Sequence, residues 1–211
     1  MFVTLQQVRT LVTVPDAEML PPPELFLHAS TLHGPAHVGR VLIHALRLVE
    51  ATGLVEEMPS LWAAVYLHDI ARTHDGSEPR HGANAWARLS TLPQVRDLFT
   101  RGGVRDSDLP GIQAAVTRHS RGEPGEGEDH RRLIELLKDA DGLDRVRLGD
   151  LDPTYLRIPA ARGMVGFARR LLAETDGRGW PAPGRFAMLW QVTGRLAATP
   201  GPGGQPPRPR R

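Results

Sequence analysis

The clearest periodicity in the chain lies between residues 35 and 52, PAHVGRVLIHALRLVEAT, where Val38, Val41, Leu42, Ala45, Leu48 and Val49 recur at steps of three and four. That spacing puts them on one face of an α-helix. Pro35 suits a helix start and Gly53 a helix stop, so the pattern predicts a helix with both ends marked. Similar spacing predicts helices over 60–72, with Pro59 before it and Ser60 as cap, and over 82–91, 109–120, 130–140, 160–174 and 184–197, with a shorter one near 4–12. Stretches rich in Gly, Pro, Asp and Arg at 15–24, 73–80, 101–107, 121–129, 150–159 and 176–183 read as the connections. No segment alternates as a strand does and no internal repeat is found, so the expected fold class is all-α.

Composition narrows the picture. A chain of 211 residues, 40% hydrophobic and 24% charged, suits one helical domain over 1–198. Residues 199–211, TPGPGGQPPRPRR, contain eight Gly or Pro and read as a disordered tail. The sequence pI near 9.6 suggests a nucleic-acid partner only until the tail is set aside. Arg208, Arg210 and Arg211 lie there with no acid, leaving 23 basic against 24 acidic residues in the body. That balance argues against nucleic acid. The absence of cysteine excludes disulfides, thiolate metal sites and cysteine nucleophiles, so any metal must bind through His, Asp or Glu. No apolar run approaches the roughly 18 residues of a membrane span, and the N-terminus lacks a signal-peptide pattern, so a cytoplasmic protein without a membrane partner is expected. A domain of this class and size is also compatible with a homodimer.

Candidate chemistry concentrates where helices begin and end. His37 falls on the first turn of the 35–52 helix, His68 and Asp69 close the apolar segment LWAAVYLHDIAR, and Asp139 and Asp141 follow LIELLK. A carboxylate among apolar neighbours is costly unless neutralised, so these acids ask for a cation, either an arginine or a metal. A divalent ion with imidazole and carboxylate ligands satisfies several such groups at once.

The order His37, His68-Asp69 and Asp141, with HVGRV at 37–41 and KDADGLD at 138–144, resembles the HD superfamily of metal-dependent phosphohydrolases. The likeness covers about residues 30–150. Its flanks, LHGPAHVGRV, HDIARTHDGSEPRHGANAWARL, AVTRHS and DADGLDRVRLGDLDPTYL, are similar to a bacterial HD subgroup. The resemblance implies an HD-type helical bundle and a divalent metal held by His37, His68, Asp69 and Asp141. Asp141 is preferred to Asp139 because the family's final Asp usually precedes a small or polar residue and Leu. Some members bind two metals, which here implies His81 and His119 as added ligands with Asp69 bridging. The cofactor is then one or two ions of Mn, Fe, Co, Ni, Zn or Mg.

The resemblance also places Arg72 where many HD proteins hold substrate phosphate, and gives Asp69, Arg72 and His119 as the catalytic set. Around them, His33 reads as a substrate contact or proton donor, and Arg118, Arg145 and Arg147 as a phosphate-binding rim. Arg40 reads as an ion-pair partner, with Asp144 its candidate acid, and His44 as core packing. His74 and Asp75 read as ordering the rim, and His28 and His130 as surface. The implied activity is hydrolysis of a phosphomonoester or phosphoanhydride, with a nucleotide as the expected substrate class, by metal-activated water. Competing readings are a phosphodiesterase for a cyclic or dinucleotide substrate, though the Gly-Tyr-Pro signature of the cyclic-dinucleotide branch is absent, a non-catalytic nucleotide-binding module, and a diiron oxygenase.

Overall fold

The computed structural model describes residues 3–177 and 184–198. A reciprocal Thr4–Gln7 capping box opens α1 (Leu5–Thr10). In α2 (Pro35–Thr52), Pro35 sits in the first turn, where its missing N–H costs nothing, and Gly53 ends the helix in the left-handed region at φ 72°. α3 (Met58–Leu67) is apolar all round and correspondingly buried, with Met58 and every residue from Ser60 to Leu67 in the interior. The remaining helices are α4 (His81–Leu89), α5 (Pro93–Arg101), α6 (Leu109–Arg118), α7 (Arg131–Leu143), α8 (Pro159–Gly163), α9 (Val165–Thr175) and α10 (Arg185–Ala198). The fold is all-α, with no strand among the described residues.

Helices α2, α3, α6 and α7 pack on one another as the centre of the bundle. α4 covers α6 and carries α5, while α1, α9 and α10 cover α2. One hydrophobic cluster, from Val8 to Val192, joins them. Trp62 lies edge-on to Tyr66 and Phe99, with centroids 6.1 and 5.5 Å away, and its indole N–H donates to the Met19 carbonyl at 2.9 Å. Such a buried ring with a satisfied N–H is the type of residue whose truncation costs about 3–5 kcal/mol. Gly102 permits this packing, because a Cβ there would sit 2.1 Å from a Trp62 ring atom.

Several predicted boundaries move. The 60–72 helix ends at Leu67, after which the chain tightens into three-residue turns, Ile70 N–H to Leu67 carbonyl and Arg72 N–H to Asp69 carbonyl, both at 3.2 Å. The 130–140 helix extends to Leu143, so Asp141 lies on it, and the 160–174 helix breaks at Met164 into α8 and α9. α5 was not anticipated, although Pro93 and the Val95, Leu98, Phe99 stripe mark it. The predicted tail at 199–211 lies outside the described residues. No helix among the described residues is long and apolar enough to cross a membrane.

His44 packs in the core as its place on α2 suggests, edge-on to Phe167 at 6.1 Å. Neither ring nitrogen has a partner, and burial pushes its pKa down to about 4. Protonation therefore favours the unfolded chain, in which the ring titrates near 6.5. His44→Leu should raise stability by about 1–3 kcal/mol at pH 7 by removing unsatisfied nitrogens. The gain should grow as pH falls from 6.5 towards 4, by up to about 1.4 kcal/mol per unit. Urea unfolding at pH 7 and pH 5 reads both effects; a variant no more stable than wild type at pH 5 contradicts them.

Candidate metal centre

Four imidazoles meet at one end of the bundle, and each is held by the same device. The Nδ1 atoms of His68, His81 and His119 lie 2.7, 2.5 and 2.6 Å from the carbonyls of Val65, Glu78 and Val116. His37 Nδ1 lies 2.8 Å from Asp144 Oδ2. Each of these oxygens only accepts, so each Nδ1 carries the hydrogen and each ring turns Nε2 inward, with a free lone pair there whenever the ring is neutral. Those atoms converge, at 3.2 Å between His37 and His68 and 2.8 Å between His81 and His119. Two facing lone pairs repel at such distances, whereas a proton or a metal cation between them is attracted to both.

Asp69 stands between the pairs. Its Oδ2 is 3.4 Å from His37 Nε2 and 3.6 Å from His68 Nε2, and its Oδ1 is 3.1 Å from His81 Nε2 and 4.0 Å from His119 Nε2. Asp141 adds Oδ1 at 3.3 Å from His37 Nε2. Two groups that can hold a metal ion result, His37–His68–Asp141 and Asp69–His81–His119, and in each the ligand atoms lie within 4.8 Å of one another. Imidazole nitrogen with carboxylate oxygen is a donor set suited to divalent transition metals.

The charges are strongly coupled. Burial pushes the Asp69 and Asp141 carboxyls up, but the surrounding imidazoles outweigh it and hold both far below the usual range. Burial and the Arg147 guanidinium push His37 down, but hydrogen bonds with Asp141, Asp144 and Asp69 prevail and raise it to about 10. Burial, reinforced by His68 and His81, takes His119 down to about 3, and burial also lowers His68. Asp144 is held down to about 2, against burial, by His37 and Arg40. Arg40 binds it through Nε at 2.6 Å and Nη2 at 3.1 Å, the pair anticipated from the sequence.

Local structure explains how distant residues meet. His37 begins α2, His68 and Asp69 follow α3, His81 begins α4, His119 follows α6, and Asp141 lies on α7. In the tight turn after α3, residues three apart eclipse, bringing Arg72 Nη1 to 3.8 Å from Asp69 Oδ1. Gly82 lets α4 approach α6, since a Cβ there would lie 2.0 Å from the Val116 carbonyl oxygen and 3.1 Å from His119 Cε1. Asp139 faces elsewhere: its carboxylate accepts from the Arg157 and Ile158 N–H groups at 2.9 and 2.7 Å, leaving Asp141 as the acid beside His37.

Above the centre lies a cleft of about 490 Å³, lined by His33, Arg72, Asp75, Arg121, Arg145 and Arg147 among others. Arg72 donates from Nη2 to the Gly76 carbonyl at 2.8 Å, while its buried Nε has no partner. Asp75 gathers the rim, accepting from Ser30 and facing His33 at 3.1 Å and His28 at 3.4 Å, contacts that hold its carboxyl down to about 2. His28 is thus half-buried against Asp75 rather than a free surface residue, whereas His130 is exposed. Arg118 is absent from the cleft lining. One residue from His119 is about 100° around a helix, and Arg118 instead pairs with Glu128 at 2.9 Å and binds the Glu123 carbonyl at 3.1 Å.

What sequence reasoning missed is the outer support of His37: Asp144 was paired with Arg40 alone. Asp144→Asn should weaken cobalt(II) binding by about 10–100-fold, as loss of an outer-shell carboxylate does, with helical circular dichroism retained. Equilibrium dialysis checks this, and unchanged affinity would show that His37 needs no such anchor. Compared with known proteins, the chain matches no family model, no curated protein and no solved structure.

Proposed function

We propose that the chain is a metal-dependent phosphohydrolase acting on a phosphorylated small molecule, with a nucleotide as the expected substrate class. The observation that carries this reading is Asp69, buried beneath a cleft that contains Arg72, with one oxygen toward His37 and His68 and the other toward His81 and His119. The resemblance of the same residues to the HD superfamily supports it. His37, His68, Asp69 and Asp141 are the proposed first ligand set, extended by His81 and His119 for a second ion. A divalent ion bound there supplies Lewis acidity and acidifies a bound water toward neutral pH.

The chain's own groups fit an anionic substrate. Arg72 lines the cleft with a side chain held by the Gly76 carbonyl, a guanidinium suited to a phosphoryl oxygen whose charge grows in the reaction. His33 has Nδ1 on Asp75, which leaves Nε2 to give or take a proton in the cleft. Leu32 and Leu148, both part of the cleft lining and more than a third exposed, provide apolar surface for the non-phosphate part of the substrate. An iron-dependent oxygenase is the second reading, favoured by the all-nitrogen-and-oxygen donor set around a shared carboxylate.

The test is metal content of the purified protein together with phosphate release from a nucleotide panel in added Mn, Co, Ni or Mg. Wild type should bind metal and release phosphate, while His68→Ala and Asp69→Ala should lose both. Arg72→Ala should keep its metal and lose about 10–100-fold in kcat/KM, the worth of a charged hydrogen bond. Iron-dependent oxygen uptake without phosphate release moves the oxygenase to first place, and a wild-type chain that binds none of these metals sinks both readings.

A further inference from the structure

The chain carries 25 arginines and one lysine, Lys138, and that lysine is buried at 6% exposure. An ammonium radiates its three donors from one atom, whereas a guanidinium spreads them in a plane. Lys138 Nζ donates to the carbonyls of Arg118, His119 and Arg121 at 3.2, 3.0 and 2.6 Å. Three donors thus meet three acceptors, all at the end of α6 and in the turn beyond it. A helix leaves its last carbonyls without internal partners and its C-terminal end negative, and a buried cation answers both needs.

The clamp joins two parts of the candidate centre. His119, whose carbonyl Lys138 binds, directs Nε2 into the Asp69–His81–His119 group. On α7, Asp141 of the other group lies three residues beyond Lys138, and Asp144, which follows the helix and anchors His37, three beyond that. We propose that Lys138 is a positioning residue: by tying the end of α6 to α7 it fixes His119, and so holds the Asp69–His81–His119 group in register with His37–His68–Asp141. All three donors are used within the protein, so substrate is not its target. The inference rests on the metal-dependent reading above.

The test is a cobalt(II) titration of the full chain, followed by calorimetry and by the visible absorption of the bound ion, with wild type, Lys138→Met, Lys138→Gln and His119→Ala compared. Wild type should take up two equivalents. Lys138→Met should retain the first with unchanged affinity and bind the second about 10–100-fold more weakly, matching His119→Ala, with helical circular dichroism preserved. Should Lys138→Met not fold, Lys138→Gln, which keeps an N–H donor, is read in the same titration. A Lys138 variant that binds both equivalents like wild type, or loses both together, overturns the positioning role while leaving the metal centre standing. Fewer than two equivalents in wild type overturns the inference, and none overturns the centre itself.

Discussion

Three carboxylates, those of the buried Asp69 and Asp144 and the half-buried Asp141, surround the single imidazole of His37. Charges removed from water are stable only when opposite charge and hydrogen bonds replace the lost hydration. Arg40 and Arg147 supply part of that compensation from within the chain, at 2.6 and 3.8 Å from Asp144. The rest is drawn from His37, which gains affinity for positive charge because three anions face it. The surrounding helices can therefore be understood as a frame around an anionic pocket with the donor groups to hold a cation.

α7 carries much of that frame. Lys138 holds the end of α6, Asp139 fixes the main chain at 157–158, Asp141 faces His37 and His68, and Asp144 ties down His37 and Arg40. Its other face is Leu133, Ile134, Leu136, Leu137, Ala140 and Leu143, all in the core. Polar and apolar demands are met by one segment because helical rotation sends neighbouring residues in different directions. KDADGLD is thus a run of separate contacts to separate elements.

Much of this was legible in the sequence, where periodicity was strong or residue types were scarce. The 35–52 helix was marked by Pro35, Gly53 and an unbroken apolar stripe, and the structure reproduces its bounds. PQVRDLFTR of α5 offered only Val95, Leu98 and Phe99 to the core, too short a stripe to stand out from its charged neighbours. Asp69 and Asp141 were marked by the cost of a carboxylate among apolar neighbours, whereas His81 and His119 followed only from the resemblance to two-metal HD proteins. Arg118 pairs with Glu128 and lies outside the cleft lining, a placement that depends on helix rotation and on the 121–129 loop. Backbone carbonyl anchors leave no trace in residue identity, so the orientation of the rings had to come from the structure.

Those anchors differ in reach. His68, His81 and His119 each take their acceptor from a residue three positions earlier, whereas His37 takes its own from Asp144, 107 residues away. Three rings are therefore aimed by a single local turn, available as soon as that turn forms and independent of the rest of the chain. The fourth is aimed only when α2 and the end of α7 have docked. Assembly of the centre is thus a problem of bringing ready-oriented parts together, and His37 is the ring whose environment registers that the bundle has closed.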